Sequence, residues 1–194
     1  MRTVLRYIPQ MRGISDPGSV QARALHRLDD LGIGAMTLVE QPLTRLGWDQ
    51  KREVGWPELI GRGVPPQLGN LAGGLSMRWG RPLHLDVMPT LSAGVVSLAL
   101  PFRDDDSIIV ERSLLDHPAE LARAIATELA YMLYPGWRHP RLEEYGEMDQ
   151  FATALSPMIQ ERLPTTLGEI DAMVDLTIGD LLAGAIAPPA PGTS

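Results

Sequence analysis

A single carboxylate is the residue best placed to do chemistry. From Ser107 the chain runs through a β-branched stretch, Ile108 to Val110, then through Asp116 and Pro118 into a helical pattern that Pro135 and Gly136 end. This reads as a strand followed by a helix reaching Tyr134, with Asp116 as its cap and Pro118 in the first turn, where a missing N–H costs nothing. At about 100° per residue, Glu128 falls among Leu121, Ala124, Ile125 and Met132, near the middle of the apolar stripe. A carboxylate there needs a partner or must stay protonated, because an isolated buried charge is very costly. It can be held by hydrogen bonds to backbone or to Tyr131, or by a group on the helix that carries Glu147. Both of these roles are structural. A third role is that of a working acid or base in a metal-free pocket.

Other chemistry is thin. The chain has no cysteine, which excludes disulfides, thiolate metal sites and cysteine nucleophiles. The four histidines are His26, His84, His117 and His139, and no two of them are spaced three or four apart. His84 is expected on the outward face of a strand and His117 in the first turn of the helix. His139 with Glu143 or Glu144 is the pair most readily drawn into a site. Ser113 and Ser156 lack a nucleophile-elbow context. Arg103-Asp104-Asp105-Asp106 lacks the spacing of a calcium loop. Gly69-Asn70-Leu71-Ala72-Gly73-Gly74 matches neither nucleotide fingerprint and reads as a flexible connection.

The strand, loop and helix ending in Ala126-Thr127-Glu128-Leu129-Ala130-Tyr131 resemble the active-site segment of small zincin metallopeptidases of the gluzincin type. That family carries His-Glu-x-x-His where this chain has Thr127-Glu128-Leu129-Ala130-Tyr131. The resemblance makes Glu128 the counterpart of the general base and Thr127 and Tyr131 the counterparts of the two histidine ligands. Glu143 to Ala152 is similar to the helix that supplies the third, acidic ligand, with Glu144 and Glu147 at candidate positions. A catalytic zinc needs three protein ligands and an open position for water. Neutral hydroxyls are poor zinc ligands, so the resemblance implies a zincin fold without its metal, a pseudo-peptidase. It spans roughly residues 83 to 160.

The elements around this segment fit that order. A helix over about 17 to 31 is capped by Asp16-Pro17, and a short strand follows over 36 to 39. An N-terminal helical extension of about 1–35 is expected, then a glycine- and proline-rich loop region over about 43–81 with one or two helical turns, one of them starting at Pro57. The four tryptophans each neighbour a glycine and are expected to plug gaps where loops fold back on the core. Leu83, Leu85 and Val87 alternate with His84, Asp86 and Met88 as a half-buried strand. Two more strands follow, Gly94 to Leu100 and Ser107 to Glu111. After Trp137 a helix is expected from about Leu142 to Ser156, with Pro157 breaking it or starting a further turn. Thr166 and Glu169 form a capping box for the last helix, whose apolar face runs from Leu167 to Leu182. Residues 188–194 read as a disordered tail.

The fold class expected is α+β, a single zincin-like domain over 1–187 with a small antiparallel or mixed sheet, an active-site-type helix and C-terminal helices. The formal net charge of −7 argues against nucleic acid as a partner. Met1 to Tyr7 is charged and lacks the apolar core of a signal peptide, and no run reaches the roughly 18 apolar residues of a membrane span. A cytoplasmic protein is expected, with no membrane contact. Its expected role is that of a catalytically inactive, cofactor-free zincin-like protein working by protein–protein contact, as scaffold, regulator or assembly component. A homo-oligomer or a larger assembly would be the form of that contact. The alternative is a divergent zinc hydrolase with Glu128 as base and ligands drawn from His139 and the acidic residues after it.

Overall fold

The helix carrying Glu128 and the strands beside it form the frame of the molecule. The computed structural model describes residues 51–91, 95–101, 104–138 and 144–184. The expected helix over 17–31, the strand over 36–39 and the tail at 188–194 lie outside them. The fold is α+β. In chain order come β1 (Arg52–Glu53), α1 (Trp56–Gly61), α2 (Pro66–Trp79), β2 (Leu83–Met88), β3 (Ser97–Pro101), β4 (Asp106–Glu111), a 3₁₀ turn (Arg112–Asp116), α3 (Pro118–Leu133), α4 (Tyr145–Arg162) and α5 (Leu167–Leu182). The sheet is mixed, in the order β1-β2-β4-β3. β2 and β4 run parallel with Leu85 opposite Ile108, and β3 lies antiparallel to β4 with Ala99 opposite Ile108.

The helix start differs from expectation. Asp116 closes the 3₁₀ turn, which buries Leu114 and Leu115, and His117 is the residue that caps α3. His117 is held extended, at φ −127 and ψ 74, and makes no side-chain cap. Pro118 is the reason, since a residue before proline is pushed out of the helical region.

The stretch expected to be mostly loop contains a full helix, α2. Its buried residues Leu68, Leu71, Ala72 and Leu75 recur at helical spacing. The glycines that suggested flexibility are packing points. A Cβ on Gly69 would stand 3.1 Å from the Trp56 ring, and one on Gly74 would stand 3.1 Å from Leu167. At both positions the missing side chain lets a neighbour approach closely, and a Cβ would have to push it back. The short helix at Pro57 is present as α1.

β2 is buried more fully than a half-exposed strand would be. Leu85 and Val87 join the main core, and Asp86 and Met88 on the alternate positions are buried too. Asp86 can lie inside because Ser107 Oγ donates to its Oδ2, with Lys51 Nζ 2.7 Å away. α4 continues through Pro157 to Arg162. Proline in a helix interior costs about 3 kcal/mol, which is offset here by the burial of Phe151, Ala152, Leu155 and Ile159 on one side. The last helix begins as expected. Glu169 N–H donates to Thr166 Oγ1 at 3.2 Å, and Thr166 N–H donates back to Glu169 Oε2 at 3.4 Å. Leu182, expected on the apolar face, is exposed.

Candidate functional site

α3 packs against α4 on one side and against β3 on the other. Thr127 and Tyr131 face α4, whereas Glu128 faces the sheet. Tyr131 O–H donates to Asp149 Oδ1 at 2.8 Å. Thr127 Oγ1 donates to the Arg123 carbonyl at 2.9 Å and lies 2.9 Å from Ser156 Oγ. Gln160 Nε2 donates to that same Ser156 oxygen at 3.0 Å. Each hydroxyl has one proton, so Gln160 gives to Ser156, Ser156 to Thr127, and Thr127 to the backbone. The two positions where the family carries histidine are therefore joined by side-chain hydrogen bonds to the next helix.

The acidic side chain brought to Tyr131 is Asp149, and not Glu144 or Glu147 as the resemblance implied. Glu147 instead accepts from Tyr134 O–H at 3.2 Å, and Glu144 stands at the N-terminal cap position of α4. Asp149 was within reach of a sequence reading, because it stands three residues before Ala152, on the edge of the buried face.

Glu128 is 2% exposed, as the stripe demanded. Its Oε1 accepts from Ser97 Oγ at 2.9 Å. Ser97 opens β3, so the partner comes from the sheet edge, which the sequence reading did not anticipate. The partners expected for Glu128 were backbone, Tyr131 or a group on the helix of Glu147, whereas a single serine at a strand end gives no pattern to read.

The remaining candidates lie elsewhere. His84 Nδ1 is 2.9 Å from Glu53 Oε1 and its Nε2 is 3.6 Å from Asp105, on the partly exposed start of β2. His26, His139 and Glu143 lie outside the described residues. Among the described residues no three histidine, aspartate or glutamate side chains are grouped to hold a metal. The donor set at 127 and 131 does not suit zinc: both hydroxyls are neutral and already engaged with α3 or α4.

Burial pushes the Tyr134 hydroxyl up to about 12, with the hydrogen bond to Glu147 and the charges of Glu147 and Glu144 adding to it. Raised in the folded state, this group contributes stability that is complete below its unfolded value of about 10 and is lost as pH rises through about 12. Urea midpoints should therefore fall between pH 10 and 12 in the wild type, and fall less in Tyr134→Phe. Equal falls in both proteins would show that Tyr134 ionises as it does when unfolded.

A second feature sits just past the C-terminal end of α3. Asp106, 0% exposed, receives Arg138, and Arg81 Nε lies 3.9 Å away. Burial raises the Asp106 carboxyl above the usual range, opposed by the Arg138 and Arg81 charges. The Arg138 guanidinium also lies 5.2 Å from the centre of the Trp137 ring. Trp137 and Trp79 stand 6.1 Å apart at 40°. They line a cleft of about 480 Å³, with Leu75, Met132, Tyr134 and Val174 among its walls. Trp137 is buried, and Trp56 and Trp79 pack partly buried on the core, so these indoles do fill gaps; two of them also border open space. Trp48 lies outside the described residues.

No protein family model matches the chain, and no match was found among curated proteins or solved structures.

Proposed function

We propose that this chain is a zincin-like protein without metal chemistry, a pseudo-peptidase that acts through contact with another protein. The observation that carries the reading is the pair of interhelical links, Tyr131 to Asp149 and Thr127 to Ser156. Positions that hold histidine ligands in the resembling family carry hydroxyls here that brace two helices, so the same positions serve stability instead of catalysis. Glu128 keeps its family position but accepts from Ser97 in a buried setting, which suits a structural carboxylate.

A net charge of −7 favours a protein partner over nucleic acid. Among the described residues no helix is long and apolar enough to cross a membrane. Work in the cytoplasm is part of the same proposal.

The test is elemental analysis of protein purified without a metal-binding tag, paired with a peptide-hydrolysis assay. The expected result is well under one zinc per chain and no chelator-sensitive hydrolysis. Near one zinc per chain, with an activity that a chelator abolishes, would replace this reading by the hydrolase in which Glu128 is the base.

A further inference from the structure

We propose that the cleft bordered by Trp79, Tyr134 and Trp137 is the docking site for the chain's own proline-rich segment, Ala187-Pro188-Pro189-Ala190-Pro191. Four observations lead there. The first is the lining: the partly buried Trp79, packed at 6.1 Å and 40° on the buried Trp137, borders the cleft together with the half-buried Tyr134 and the exposed Pro135. Aromatic-lined grooves of this kind take proline-rich segments in the polyproline II conformation, since flat pyrrolidine rings stack on indole and lose little conformational freedom on binding.

The second is charge. The two guanidiniums at the cleft each already face a carboxylate. Arg78 grips Asp171 through bonds of 2.6 and 2.8 Å, and Arg138 reaches Asp106. An uncharged occupant is favoured, and residues 185 to 194 contain no charged side chain.

The third is connection. α5 supplies one wall through Asp171 and Val174, and the proposed segment follows that helix directly. Gly184 ends it in the left-handed conformation, φ 68, with its N–H bonded to the Leu181 carbonyl at 3.0 Å. A left-handed residue after a helix turns the chain off the helix axis.

The fourth is reach. From Gly184 back to Val174 is roughly 15 Å of helix. The seven residues from Ala185 to Pro191 cover about 22 Å in the polyproline II conformation. The segment is long enough to fold back, and its tether would give it a roughly millimolar effective concentration at the cleft.

The experiment uses the full chain with ¹⁵N-labelled tryptophan, following the indole N–H signals in two-dimensional NMR. In the variant Pro188→Gly, Pro189→Gly, Pro191→Gly, the Trp79 and Trp137 signals should move while that of Trp56, which packs on α2 away from the cleft, stays in place. Adding a synthetic peptide of residues 185–194 at millimolar concentration to the variant should return both signals towards their wild-type positions. Signals that stay put in the variant would overturn the proposal and leave the cleft to a ligand from outside the chain. Signals that move but do not respond to the peptide would overturn it as well.

Discussion

Glu128→Leu should lower the free energy of unfolding by about 1–3 kcal/mol, while Glu128→Gln should change it much less. The carboxylate is 2% exposed and its Oε1 accepts from Ser97 Oγ at 2.9 Å. Glutamine keeps an oxygen in place to accept that bond. Leucine fills much of the same volume but leaves the hydroxyl of the half-buried Ser97 without that acceptor. Two effects then oppose each other: the unsatisfied hydroxyl costs stability, and the added apolar burial returns some of it. The first should win, because the Ser97 proton is aimed at the position that the Glu128 Oε1 vacates. Combining Glu128→Leu with Ser97→Ala removes both partners, and a coupling of about 0.5–3 kcal/mol is expected in that cycle. Urea denaturation of the four proteins measures it. If Glu128→Leu is as stable as the wild type, Glu128 does not belong to a satisfied buried network.

The parts of the fold that were legible in the sequence are those whose signals are local and repeat. Three strands and then the Pro118 helix came from alternation followed by a 3.6-residue period, and the Thr166–Glu169 capping box is one side-chain exchange over three residues. α2 was hidden because Gly69 and Gly74 carry opposite meanings locally and in the fold. Locally they weaken a helix, yet in space they admit Trp56 and Leu167. Pro157 was hidden for the same kind of reason, since the burial of Phe151 and Ile159 outweighs a lost backbone bond. In the site, the position of Glu128 in the stripe was readable, but Ser97 was not. Asp86 misled in the other direction: a charged residue at an alternating position suggested solvent, whereas Lys51 and Ser107 satisfy it inside.

The central claim is that positions 127 and 131 stand where a zincin holds its histidines, with an acidic side chain of α4 opposite them. The double variant Thr127→His, Tyr131→His tests it. It supplies two nitrogen donors four residues apart, with the Asp149 carboxylate, which the Tyr131 hydroxyl reaches at 2.8 Å, placed as the third ligand. Removing the Tyr131–Asp149 and Thr127–Ser156 links should leave the metal-free variant less stable than the wild type, so the response to zinc is the quantity to follow. Binding to the folded state alone adds RT ln(1 + [L]/Kd), about 2.7 kcal/mol at a hundredfold excess of zinc over Kd. For a domain of this size that is roughly 5–10 °C in melting temperature. Thermal unfolding with and without zinc should show that rise in the double variant and none in the wild type, and adding Asp149→Asn should abolish it. A double variant that folds but melts at the same temperature with and without zinc would contradict the zincin-like placement of these residues.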